Sequence, residues 1–291
     1  MRRHHDDEVH EDEIHEHDRG LSYDLPVLAR RRMIRLMAGV GAGLVPLVGC
    51  TADDGSSPSA SAAGSASSAG SASSAGSASS AECVTVPEET AGPYPGDGSN
   101  GVNVLKESGV VRGDITRSFG DSAGGTAEGV PLTFTLTVVD AASGCGTPKR
   151  GAAVYVWHCD REGGYSLYTE GVADENYLRG VQETDEQGQV TFTSVFPGCY
   201  TGRWPHIHFE VYGSLADATT ATAITGTSQL ALPKDVCDTV YATEGYESSV
   251  DNLGRLSLES DSVFRDGYDQ QLAVVKGSVV EGYTATLTIA V

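Results

Sequence analysis

The chain has 291 residues, a formal net charge of −21 and only 7 % aromatic residues. Phosphate backbones are held by clustered Lys and Arg, so this charge excludes nucleic acid as a partner and reads as an acidic, solubilising surface. Abundant Gly (36 residues), with short runs of Val and Thr, favours strands and turns over long helices.

The N-terminal region predicts a targeting signal. Arg30-Arg31-Arg32 precedes an apolar stretch running through Val48, shorter than the ~20 residues a membrane span needs. Basic residues before a short apolar core predict an export signal, and consecutive arginines point to the twin-arginine route. The core ends in Leu47-Val48-Gly49-Cys50, which resembles a bacterial lipoprotein box that leaves Cys50 as a lipidated N-terminus. An uncleaved signal anchor is the competing reading. Residues 1–50 are therefore expected to be a leader rich in His and acids, followed by the lipoprotein signal. His4, His5, His10, His15 and His17 lie upstream of that signal and would leave with it. The processed protein would be exported, held at the outer face of a bacterial membrane by a lipid anchor at Cys50. From 51 to 81 the chain is a near-repeat of Ser, Ala and Gly that cannot bury a core, so it predicts a flexible tether.

Residues 82–291 have the texture of a folded domain. Pro131 to Val139 (PLTFTLTVV) alternates and predicts a strand. Further strands are expected at Ala152 to His158, Gln189 to Val195, His206 to Val211 and Thr284 to Ala290, with Gly- and Pro-containing turns between them. No long stretch has a helical period. Short strands with frequent turns fit an all-β sandwich with long loops and little helix. Five cysteines lie here: Cys83, Cys145, Cys159, Cys199 and Cys237. The number is odd, so one thiol at least is free or pairs between chains. No C-x-x-C pair supports zinc, and export permits one or two disulfides.

The sharpest local signal is His206-Ile207-His208. Side chains alternate along a strand, so both imidazoles point the same way, a natural metal pair. Tyr200 lies just upstream, after Pro197-Gly198, and Tyr165 follows Gly163-Gly164. Phenolates are hard anionic donors that suit ferric iron, whereas zinc draws on Cys, His, Asp and Glu.

Three segments in order then carry a family resemblance: Glu89-Thr90-Ala91-Gly92-Pro93-Tyr94, GAAVYVWHCDREGGYS (151–166) and YLRGVQETDEQGQVTFTSVFPGCYTGRWPHIHFEVY (177–212). The chain resembles the intradiol ring-cleavage dioxygenases, in particular their exported single-chain members. The resemblance implies an intradiol-dioxygenase-like β-sandwich holding one Fe(III) ion through Tyr165, Tyr200, His206 and His208. It implies cleavage of catechol-type rings with O2 to muconate-type dicarboxylates. Tyr200 would act as the displaceable phenolate that takes a substrate proton, and Arg203 would stabilise negative charge on the activated ring. Gln229 aligns with a pocket Gln across an apparent insertion around 213–226. Pro93 and Tyr94 either line the pocket or anchor an N-terminal loop. His158 is expected to be a hydrogen-bonded structural group. Cys199 stands where the family often has a bulky aromatic, and a free thiol beside ferric iron would be exposed to oxidation. Cys199 is therefore expected to be bonded, with Cys159 as its partner.

Two other readings stay open at this stage. One is a transthyretin-like binding module on a lipoprotein, without iron. The other is a zinc or copper enzyme that uses His206 and His208 alone. Neither the particular catechol nor the oligomeric state is legible.

Overall fold

The structure, a computed structural model, describes residues 83–122 and 124–291. The leader, the tether and Cys50 lie outside the described residues.

Eight strands form two four-stranded sheets. In chain order they are β1 (Pro131–Val139), β2 (Ala153–Trp157), β3 (Arg179–Glu183), β4 (Gln189–Val195), β5 (His206–Tyr212), β6 (Ile224–Ala231), β7 (Val274–Ser278) and β8 (Gly282–Ala290). One sheet runs β4-β1-β8-β7 and the other β3-β2-β5-β6. All neighbours are antiparallel except β1 and β8. The architecture is the expected β-sandwich.

The first sheet has one wet face. Its inward positions Phe134, Leu136, Val190, Phe192, Ala285 and Ile289 are buried, and the alternate positions are largely threonine. Thr135 and Thr191 face each other across β1 and β4 and share a 2.8 Å hydrogen bond. This is the alternation legible in PLTFTLTVV.

The second sheet is buried on both faces, which explains why AAVYVWH and HIHFEV do not alternate. Every residue of β2 and β5 is buried. Val154, Val156, Ile207, Phe209 and Val211 join the core between the sheets. Ala153, Tyr155, Trp157 and Tyr212 join a second apolar cluster with Tyr94, Val104, Tyr165 and Tyr200. That second layer consists of loops folded over the outer face of the sheet, and His206 and His208 point into it.

Two short helices were not visible in the sequence: α1 (Lys234–Tyr241) and α2 (Glu247–Leu253). Both brace the turn before Tyr200. The Tyr241 and Tyr246 hydroxyls donate to the Pro197 and Phe196 carbonyls at 3.0 and 2.8 Å. On α2, Ser249 Oγ accepts from the Cys199 amide at 2.9 Å and Asn252 Nδ2 donates to the Cys199 carbonyl at 2.8 Å.

The cysteine expectation is corrected in part. Cys83 and Cys145 form a disulfide, joining the start of the domain to the loop after β1. Cys159, Cys199 and Cys237 are free and buried, so the expected Cys159–Cys199 bond does not exist. The Cys159 thiol is turned to the Gly198 carbonyl and that of Cys199 to the Arg203 carbonyl, each at 3.5 Å. Burial raises Cys199 to about 12 and Cys159 well above its ordinary range. Both remain protonated, and that protects them without a covalent bond.

Candidate metal centre

Four side chains named from the sequence converge on one point. His206 Nε2 and His208 Nε2 are 3.0 Å apart. Tyr165 Oη lies 3.5 Å from Tyr200 Oη and 3.5 Å from His206 Nε2. Tyr200 Oη is 3.4 Å from the same nitrogen. Donor atoms about 2 Å from a shared four-coordinate ion stand roughly 3.3 Å from one another, so these separations suit one small cation. Among the described residues no group of three or more His, Cys, Asp or Glu is placed to hold a metal. The further protein donors at this point are the two tyrosines.

Each donor is placed by a local device. His206 and His208 are two apart on β5, on one face of the sheet. His206 Nδ1 donates to the Trp204 carbonyl in a very short contact, which leaves Nε2 with its lone pair toward the cluster. His208 is held by Trp157, its cross-strand neighbour, whose indole stacks on it. Tyr165 is presented by a tight turn in which Gly163 has φ +91°. A Cβ there would stand 3.1 Å from Tyr200 Cβ, so a side chain would push the two turns apart.

The electrostatics suit a cation. Burial lowers His206 to about 3, and the Arg203 charge adds to this; His208 is driven well below its usual range by burial and by His206. Both rings are neutral and ready to donate. Burial, then the neighbouring Tyr200, pushes the Tyr165 phenol well above its ordinary value. Paired phenolates are unfavourable here unless a high positive charge sits between them, and a multivalent ion supplies that.

Arg203 is 1 % exposed, and its Nε donates to Asp261 Oδ2 at 3.1 Å. Its Nη2 donates to Gln229 Oε1 at 2.6 Å, and Gln229 Nε2 donates to the Thr90 carbonyl at 2.9 Å. Gln229 stands opposite His208 on β6. Asp261 also accepts from the Trp204, Val263 and Phe264 amides. No local pattern points to Asp261, which lies in an irregular loop 58 residues beyond Arg203.

The N-terminal segment reaches the centre too. Tyr94 packs against Tyr165 with ring centroids 5.0 Å apart. Arg179 on β3, fully buried, donates to the Tyr94, Pro95 and Ser166 carbonyls at 2.9, 2.8 and 3.0 Å. It thereby ties this segment to the loop carrying Tyr165. His158 stays out of the centre: its ring nitrogens meet the Cys159 carbonyl and Ser194 Oγ, both at 2.7 Å.

A family model described as Dioxygenase matches residues 110–245. A chlorocatechol 1,2-dioxygenase of Rhodococcus opacus is 36 % identical over 69 residues, 24 % of this chain. The chain spans about a quarter (26 %) of the length of that curated relative. An intradiol ring-cleavage dioxygenase from Tetranychus urticae superposes with a TM-score of 0.52 at 26 % identity, covering 63 % of this chain and 87 % of its own. A second dioxygenase crystal structure gives 0.55 at 25 % identity, covering 72 % and 94 %. Residues 110–245 are thus similar in sequence to the Dioxygenase family, and the sandwich is similar in fold to a solved intradiol ring-cleavage dioxygenase.

Proposed function

We propose that the protein is an Fe(III)-dependent intradiol dioxygenase that cleaves catechol-type rings with O2 to muconate-type dicarboxylates. The observation that carries this reading is the convergence of two phenols and two neutral imidazoles with donor separations of 3.0 to 3.5 Å. Held by Tyr165, Tyr200, His206 and His208, ferric iron would supply Lewis acidity and one-electron chemistry toward a catechol and dioxygen.

The remaining roles fall to the chain. Tyr200 is 7 % exposed, against 1 to 2 % for Tyr165, His206 and His208. It is the most exposed of the four residues, and its Oη would be the one that gives way to substrate and accepts a substrate hydroxyl proton. Arg203, fixed between Asp261 and Gln229, keeps a guanidinium beside the ring as negative charge grows there. Its charge works against the burial that raises Tyr165, without overcoming it. Gln229 holds that guanidinium and the Thr90 carbonyl in register. The loops over the sheet exclude bulk water, which strengthens every one of these interactions.

The test is iron content and a visible spectrum of the purified full-length protein. The expected result is one ferric ion per chain and a phenolate-to-iron absorption band that shifts when catechol is added without oxygen. Tyr165→Phe and Tyr200→Phe should each alter the band. A colourless protein after iron loading, or a metal retained unchanged by both variants, overturns the proposal.

We also propose, from Arg30 to Cys50 of the sequence, that the enzyme works outside the cytoplasm on a lipid anchor. Loss of lipid labelling in Cys50→Ala is the expected outcome, and equal labelling of that variant overturns it.

A further inference from the structure

We infer that Asp160 is a positioning residue that locks together the two turns presenting Tyr165 and Tyr200. This inference rests on the iron-site reading above.

Asp160 leaves the end of β2 three residues after Trp157 and is 6 % exposed. Its Oδ1 accepts from the Gly164 and Glu162 amides at 2.8 and 3.1 Å. Its Oδ2 accepts from the Tyr177 hydroxyl at 3.2 Å. One carboxylate thus satisfies two backbone donors inside the five-residue turn that ends at Tyr165, and a third anchor fixes the carboxylate itself.

The backbone of the same residue serves the other turn. The Asp160 carbonyl accepts from the Gly163 amide at 3.1 Å and from the Gly198 amide at 2.9 Å. Gly198 stands two residues before Tyr200. The contact between the turns leaves no room for side chains: a Cβ on Gly198 would meet the Arg161 carbonyl oxygen at 2.5 Å and the Asp160 oxygen at 3.0 Å. A Cβ on Gly164 would meet Asp160 Oδ2 at 3.1 Å. The Asp160 side chain therefore shapes the Tyr165 turn while its backbone docks the Tyr200 turn. Burying a carboxylate away from water is costly unless its hydrogen bonds are made, and here they are made to the ligand-bearing turn.

The mechanism does not use Asp160 on substrate. Its effect must appear in how well two phenolates share one ion. Outer-shell partners of this kind are worth about 10- to 100-fold in metal affinity. The test compares Asp160→Ala, Asp160→Ser and Asp160→Asn in the full-length protein. Iron affinity and the phenolate-to-iron band are read alongside circular dichroism. Asp160→Ala should weaken iron binding by roughly 10-fold or more and displace the band. Asp160→Asn keeps an acceptor for Gly164 and Glu162 and should restore both. Should the Ala chain not fold, Asp160→Ser decides by the same criteria. Parental affinity and an unmoved band in a folded Ala or Ser variant overturn the role, and so does an Asn variant as impaired as Ala. A parent chain that takes up no iron sinks the metal reading itself, while a coloured parent with an indifferent Asp160→Ala sinks only the positioning role.

Discussion

The Trp157 indole lies flat on the His208 imidazole, ring centroids 4.8 Å apart and planes within 4° of parallel. His208 Nδ1 and Trp157 Nε1 are both buried without a hydrogen-bond partner, so stacking is what orients this imidazole. Trp157→Ala removes the platform and opens a cavity in the loop-covered layer. The expected loss of unfolding free energy is about 3–5 kcal/mol, measured by urea denaturation. Trp157→Phe keeps a ring to stack on and should retain most of the iron affinity that Trp157→Ala loses.

The Arg203–Asp261 pair is fully buried, at 1 % and 0 % side-chain exposure. Asp261→Ala leaves a guanidinium without its carboxylate and strips acceptors from three backbone amides. A loss of about 3–5 kcal/mol is expected in thermal or denaturant unfolding. Arg203→Lys keeps the charge but not a fork that reaches both Asp261 and Gln229. Under the proposed function, its turnover of catechol should fall by about 10²- to 10³-fold while the iron band is kept. Turnover equal to the parent's would remove Arg203 from the chemistry.

Glu89 gives the protein an unusual pH response. Burial, then Asp266, raises its carboxyl to about 8; Arg203 pulls the other way and Asp261 adds to the rise. A carboxyl raised on folding binds its proton in the native state where the unfolded chain has lost it, so stability falls as pH rises through that window. The slope is about 1.4 kcal/mol per pH unit. His158, lowered to about 4 by burial, opposes this, because its contribution is lost as pH falls from 6.5 through 4. The clean window is therefore pH 6.5 to 8. Denaturant midpoints there should drop with pH in the parent and flatten in Glu89→Gln.

The Cys83–Cys145 bond closes a loop of 62 residues in sequence separation. Constraining that loop in the unfolded chain is worth about 4 kcal/mol. Reductant should lower the melting temperature, and Cys145→Ser should show the same loss without reductant. Cys159, Cys199 and Cys237 should react with an alkylating agent only on unfolding, since all three are buried.

Much of the site was legible because its donors sit in local signals. The His206 and His208 pair follows from strand alternation alone. The Gly163-Gly164 and Pro197-Gly198 turns mark where Tyr165 and Tyr200 leave the sheet. Strands β1 and β4 were read to the residue because one face is wet. β3, β6 and β7 were missed: β3 and β7 are only five residues long, and β6 is buried over most of its length, so none alternates cleanly. The two helices are eight and seven residues long, about two turns each, too short for a period to emerge. The Cys199 expectation failed because it asked only how a thiol could be protected from iron. The fold answers by turning both thiols onto carbonyls, a matter of side-chain direction that spacing does not carry. Asp261, Asp160 and Arg179 act through contacts 58, 38 and 84 residues apart in sequence, beyond any local pattern.

The disulfide at Cys83 also decides how mechanical load enters the molecule. The segment after it runs past Val86, bonded to Ala290, and Glu89, bonded to Thr227, to reach Thr90 and Tyr94 at the candidate metal centre. A pull on the preceding chain arrives first at Cys83, where a covalent bond diverts it into the loop after β1. The hydrogen-bonded run from Val86 to Tyr94 is spared, so tugging at the N-terminal side would leave the wall of the candidate site in place.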